Sequence, residues 1–173
     1  MWHIVAVGSS GTSSGLIALW GPDREKFHAY SLFASIWLSG HIRGIPSCIH
    51  ILNMYAPCRD QSQFWERIES GNILKIKGLI MARDLNATLM VHESWGKHSR
   101  NYPLARKLYN LFVESHLVEI CPSPLTLTWN NRRSREGHIG KCLDRFLVQE
   151  DLLERLGYLN SSIYRTYISY QTC

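Results

Sequence analysis

At 173 residues the chain is long enough for one domain with a real core. Hydrophobic residues make up 45% and charged residues 19%, a globular composition that excludes a disordered chain. A formal charge of +5 favours a polyanionic partner such as nucleic acid, and no apolar run reaches the ~18 residues that a membrane span needs.

Met1-Trp2-His3-Ile4-Val5 lacks the basic head and apolar run of a signal peptide, which sets an intracellular, non-secreted expectation, nucleus or cytoplasm. The five cysteines, Cys48, Cys58, Cys121, Cys142 and Cys173, form no Cys-x-x-Cys pair, and reduced thiols are the expectation. Residues 2–7 and 16–20 read as strands joined by a Gly/Ser loop. Leu16-Ile17-Ala18-Leu19-Trp20 is apolar without interruption, which predicts burial on both faces. The loop from Gly8 to Gly15 lacks a Gly-Lys-Ser/Thr ending and precedes a strand, so it is no phosphate cradle of the P-loop kind.

Gly21-Pro22-Asp23 marks a turn. A β-prone run covers 27–38 and a second strand 46–55, which Pro57 ends. In that second strand Ile49, Ile51, Asn53 and Tyr55 fall on one face and His50, Leu52 and Met54 on the other. Tyr55, at the strand end, suits a core-edge aromatic with its hydroxyl in water. Phe64 and Ile68 at i,i+4 predict a helix over 61–70, with Gly71 a plausible stop.

Residues 73–82 lead into the stretch around which the chain is organised, Leu79-Ile80-Met81-Ala82-Arg83-Asp84-Leu85-Asn86. An apolar strand ends here in a carboxylate and an amide two residues apart. Both would project from the strand's C-terminal tip, where α/β folds place their sites. A carboxylate there can orient water or hold a hard cation, and an amide can donate to a phosphate oxygen. The competing reading is an Asx-type turn at a strand end. His92 and His98 stand six apart with no thiol between them, a spacing that suits surface histidines better than a zinc pair.

Pro103 and the stripe Leu104, Leu108, Leu111 and Phe112 predict a helix over 103–118. Residues 125–129 and 143–148 read as strands and 150–157 as a helix. Between the strands lies a basic stretch carrying Asn131, Arg132, Arg133, Arg135, Lys141 and Arg145, beside Trp129. It reads equally as a nucleic-acid backbone contact or a solvated loop.

Five stretches in this order, Gly11 to Trp20, Asn53-Met54-Tyr55-Ala56-Pro57, Ala82 to Ala87, Leu127 to Asn131 and Lys141 to Val148, resemble the endonuclease/exonuclease/phosphatase superfamily. The likeness is greatest to the endonuclease-like domains of plant non-LTR retrotransposons, and it runs from about Val5 to Cys173. It implies an α/β (α+β) fold of two mixed sheets packed face to face and flanked by helices, a four-layer DNase I-like sandwich. It also implies hydrolysis of DNA phosphodiesters assisted by Mg²⁺ or Mn²⁺, with no small-molecule cofactor. On that resemblance Asp84 activates water and ligates metal, Asn86 binds phosphate, Tyr55 adds a donor, and Asp144 orients a C-terminal histidine. Trp129, Asn131, Arg132, Arg133, Arg135 and Arg145 are the expected nucleic-acid contacts.

The chain also departs from the family pattern. Where the family ends in Ile-Ser-Asp-His-Ser-Pro, this sequence has Ile168-Ser169-Tyr170-Gln171-Thr172-Cys173. Glutamine exchanges no proton near neutral pH and tyrosine substitutes poorly for a carboxylate. Ser14 stands where the family has glycine, and Glu25, Glu66 and Glu69 do not match the context of the family's metal-binding glutamate. The expectation is therefore one incomplete domain over 1–173, degenerate, with little or no hydrolytic activity. The alternative is a non-catalytic nucleic-acid-binding module using 131–145.

Overall fold

The computed structural model describes residues 1–8, 15–32, 35–96, 102–122, 125–157, 159 and 161. Its centre is a six-stranded mixed sheet. In spatial order its strands are β3 (Glu25–Leu32), β4 (Ser35–Ile42), β5 (Ile49–Met54), β6 (Leu79–Asp84), β11 (Asp144–Gln149) and β8 (Leu117–Glu119). Only β5 and β6 run parallel; every other pair is antiparallel. Helix α1 (Gln61–Ser70) makes the crossover between those two strands. This is the connection a parallel pair requires.

Period-two alternation sorts the side chains onto two faces. Leu52, Met54, Leu79, Met81 and Leu147 pack against Phe64 and Trp65 of α1 and against Leu108, Leu111 and Phe112 of α2 (Ala105–Glu114). On the opposite face Ile36, Leu38 and Tyr55 meet Leu16 and Trp20. These two come from the antiparallel pair β1 (His3–Val7) and β2 (Leu16–Trp20). Ile49 and Val148 on that same face pack with Leu152 of α3 (Glu150–Leu156). A small three-stranded sheet lies at one end, with β10 (Gly140–Lys141) between β7 (Ser94–Trp95) and β9 (Trp129–Asn130).

Of the four expected layers the described residues form three, helices, the six-stranded mixed sheet and a second sheet. Among the described residues the second sheet is a two-stranded antiparallel pair. Its outer face carries Ile4, Ile17 and Leu19, the last two 57% exposed, so the apolar run of β2 is covered on one side only. No described helix is long and apolar enough to cross a membrane.

Three elements and one cysteine differ from the sequence reading. The β-prone run at 27–38 is two strands, because Ser31 and Leu32 pair back on Ile36 and Ser35. The expected helix over 103–118 stops at Glu114, and His116 takes a left-handed φ of 53° that turns the chain into β8. The strand expected at 125–129 is reduced to Trp129–Asn130, since its partner β10 offers only two residues. Cys48, Cys121 and Cys142 are free thiols, but Cys58 is disulfide-bonded, against the expectation of reduced thiols throughout.

Leu52 is wholly buried between α1 and the sheet, whereas Ile17 faces outward. Replacing Leu52 with alanine should cost about 2–5 kcal/mol of unfolding free energy. Replacing Ile17 with alanine should cost about 0.5 kcal/mol or less. Urea unfolding of the two variants measures the contrast.

Candidate active site

Parallel pairing brings the C-terminal ends of β5 and β6 to one edge of the sheet. Their register, His50 beside Leu79 through Asn53 beside Ala82, continues to set Tyr55 next to Asp84. The Ala56 N–H donates to the Asp84 carbonyl at 3.0 Å, which closes that last rung. On the other side of β6, Asp144 stands directly opposite Asp84. Tyr55, Asp84 and Asp144 therefore point from three neighbouring strands toward one face. Directly opposed residues of an antiparallel pair hold their Cβ atoms roughly 4.5–5.5 Å apart. The two carboxylates differ in setting, since Asp84 is 1% exposed and Asp144 faces solvent.

Asn86 closes the strand end. Its backbone N–H donates to Asp84 Oδ1 at 2.7 Å, and its side-chain Nδ2 donates to the Ala56 carbonyl. This is the Asx-type turn, with Asn86 held at a φ of 48°, where asparagine is among the tolerated residues. One amide proton of Asn86 thus serves the turn. The turn is braced further: Gln61 Nε2 donates to the Asn86 carbonyl at 3.1 Å, and the Tyr102 hydroxyl donates to Gln61 Oε1. Burial pushes the Tyr102 hydroxyl up to about 12. Gln61 and Tyr102 gave no signal in the sequence, because neither lies within 15 residues of Asn86. On the face of Tyr55 and Asp84, Asn53 Oδ1 is buried with no hydrogen-bond partner among the described residues.

The basic stretch divides. Arg132, Arg133 and Arg135 are exposed on a loop above β9 and β10. Asn131 is the knot of that loop: its Oδ1 accepts from the N–H of Arg133 and of Ile139, and its Nδ2 donates to the Gly137 carbonyl at 2.7 Å. Trp129 is half-buried in the stem. Thr128 Oγ1 accepts the N–H groups of Leu143 at 2.9 Å and Asp144 at 3.1 Å, tying the base of the loop to the acidic site. Gly96, at a φ of 120°, lies against the same loop, where a Cβ would come within 2.3 Å of the His138 carbonyl oxygen.

Arg145 does not belong to that surface. Its guanidinium is 0% exposed and is paired with Glu93 and with Glu119, the latter at 2.6 Å. It also donates to the Ala87 carbonyl. Strand alternation explains this, since Arg145 points to the face opposite Asp144. Glu93 in turn accepts the N–H groups of Leu89 at 2.6 Å and Met90 at 3.0 Å, fixing the loop that follows Asn86. Burial alone would raise the Glu93 carboxyl, but the hydrogen bonds and charge of Arg145, helped by those two N–H groups, hold it below its usual range.

Asp84 and Asp144 offer two hard oxygen donors, the set with which Mg²⁺ keeps several of its waters. Among the described residues, no three His, Cys, Asp or Glu side chains gather to hold a metal. His92 is exposed; His98, Ser14, Tyr170 and Gln171 lie outside the described residues.

No protein-family model and no curated protein matches the sequence. Solved structures do match. The endonuclease domain of TRAS1, a telomere-specific non-LTR retrotransposon, superposes with a TM-score of 0.66 at 17% identity, covering 88% of this chain and 69% of that one. TDP2 from D. rerio, complexed with a single-strand DNA product, superposes with a TM-score of 0.55 at 13% identity, covering 86% and 62%. Both have the DNase I-like fold, and this chain has that fold.

Removing Arg145 leaves the buried Glu93 and the partly buried Glu119 without their cation. Arg145→Met should cost about 3–5 kcal/mol in urea unfolding. The pH dependence should also change sign. In the parent, Glu93 titrates below its usual value, so its stabilisation is complete above about pH 4.5 and drains as pH falls through the depressed value. In Arg145→Met, burial dominates and raises Glu93, so acidification should recover part of the lost stability.

Proposed function

We propose that this chain is a nucleic-acid-directed DNase I-like domain, descended from divalent-metal phosphodiesterases, that hydrolyses DNA little or not at all. The observation that carries the reading is the alignment of Tyr55, Asp84 and Asp144 across three strand ends, beside a loop of exposed arginines. In such a site a scissile phosphate would lie over the strand ends. Asp84 would orient the attacking water, and Tyr55 would donate to a phosphoryl oxygen. Asp84 and Asp144 would hold a divalent cation, whose chemistry is to neutralise charge building on the phosphoryl oxygens.

Two features argue against turnover. Asp144 supports a histidine in the family pattern, and the corresponding position here is Gln171, which cannot exchange the proton. The donor set among the described residues also stops at two carboxylates. Losing one member of a catalytic unit typically costs several orders of magnitude in rate.

A second reading, a binding module without catalysis, is favoured by the exposure of Arg132, Arg133 and Arg135 on a loop anchored to the strand that carries Asp144. The two readings share the DNA contact, and both expect at most residual hydrolysis at Asp84. Supercoiled plasmid with Mg²⁺, assayed against EDTA and Asp84→Ala, tests that expectation. The expected result is no nicking above the EDTA background. Nicking that requires both the metal and Asp84 would show a working site and sink the claim of degeneracy. Duplex binding should weaken with salt, and Arg132→Ala with Arg133→Ala should flatten the slope of log affinity against log salt by about two. Affinity independent of salt would remove the DNA contact from the account.

A further inference from the structure

The loop that leaves Asn86 and the start of α2 enclose a cleft of about 380 Å³ that the reading above does not use. Its walls include Met90 and Val91 on the loop, with Tyr102, Pro103, Arg106 and Tyr109 along α2 and the turn before it. Arg106 and Tyr109 are three apart on α2 and share one side of it, while Tyr102 lies in the stretch just before the helix. The cleft is in the size range of small-ligand sites, mostly apolar with a few polar groups.

Both walls are fixed before any ligand arrives. The loop wall is fastened by Glu93, which accepts the N–H groups of Leu89 and Met90 and is itself pinned by Arg145. The Tyr102 ring is fastened through its hydroxyl to Gln61, and Gln61 to Asn86. Tyr109 keeps an exposed ring, and Arg106 is exposed with no ion pair among the described residues. Neither is needed to hold the helix, so both are available to a partner.

We infer that this cleft receives an unpaired nucleobase, with the ring stacked on Tyr109 and the adjoining phosphate on Arg106. Tyrosine faces and an arginine beside them are the elements of single-strand recognition, in which every base offers a π-face and the backbone offers charge. Position supports the assignment. Thr88, a buried residue of the cleft's lining, is four residues beyond Asp84 and so at most about 14 Å from it. At ~3.4 Å per stacked nucleotide that ceiling corresponds to at most about four nucleotides. The inference rests on the DNA-directed reading and adds to it a preference for single-stranded or locally opened substrate.

The test uses the full chain and three probes: a labelled single strand, the duplex of the same sequence, and dAMP alone. Tyr109→Ala and Arg106→Ala alter surface positions of α2, and the Arg132→Ala/Arg133→Ala pair serves as the basic-loop control. The single strand should bind more tightly than the duplex. Tyr109→Ala should weaken single-strand binding by about tenfold or more while leaving duplex binding in place. In NMR spectra dAMP should shift Met90, Tyr102 and Tyr109 and leave the basic loop unmoved. An unchanged single-strand affinity in Tyr109→Ala, or dAMP shifts centred elsewhere, would overturn the inference even if the duplex still binds through Arg132 and Arg133. The converse result, dAMP shifts in the cleft with no duplex or loop-dependent binding, would keep the cleft as a nucleotide site and discard the DNA-directed reading.

Discussion

Asp144 faces Asp84 only in one register of β11 against β6. A slip of a single residue would send Asp144 to the helix face and bring Arg145 to the acidic edge. The buried guanidinium forbids that slip. Among the described residues Arg145 is the one cation between Glu93, in the loop after Asn86, and Glu119, on the far strand β8. Moving it into solvent would strand both carboxylates, and breaking a buried ion pair costs far more than its net contribution when intact. The same side chain thus sets the register of β11, the distance to β8 and the course of the loop from Leu89 to Glu93.

From that constraint the rest of the site follows in steps. Strand β6 is parallel to β5, so fixing β11 against β6 also fixes Asp144 relative to Tyr55. The Asx turn at Asn86 then closes the strand end, and Gln61 and Tyr102 brace the turn from the helix layer. Thr128 fastens the start of β11 to the stem of the arginine loop. Acidic strand ends, exposed arginines and the aromatic cleft are therefore parts of one hydrogen-bonded frame. Charge sign also divides across it: carboxylates at the strand ends, cations on the rim. That is the arrangement a polyanionic strand and a bridging cation would both accept.

Much of this was legible in the sequence. The strand ending in Asp84 announced itself because an apolar run stops at a carboxylate, and the faces of β5 followed from simple alternation. What stayed hidden was set by partners distant in sequence. Arg145 looked like a member of a basic surface because its partners lie 52 and 26 residues away. Asn131 looked like a contact residue, while its amide is consumed in shaping a loop. The hairpin of β3 and β4 was invisible because Phe33-Ala34, between the two strands, contains no glycine, asparagine or proline to signal reversal. The outward apolar residues of β2 were expected to be covered on both sides, and Ile17 and Leu19 remain at the surface of the described chain.

The most direct test of the central claim, that three strand ends converge on one acidic site, is paramagnetic broadening by Mn²⁺ in a backbone NMR spectrum. Substoichiometric Mn²⁺ should bleach Tyr55, Asp84, Asn86 and Asp144 first, and Asp84→Asn should abolish the effect. Broadening centred elsewhere, or persisting unchanged in Asp84→Asn, would contradict the convergence of Asp84 and Asp144 into one cation-accepting site.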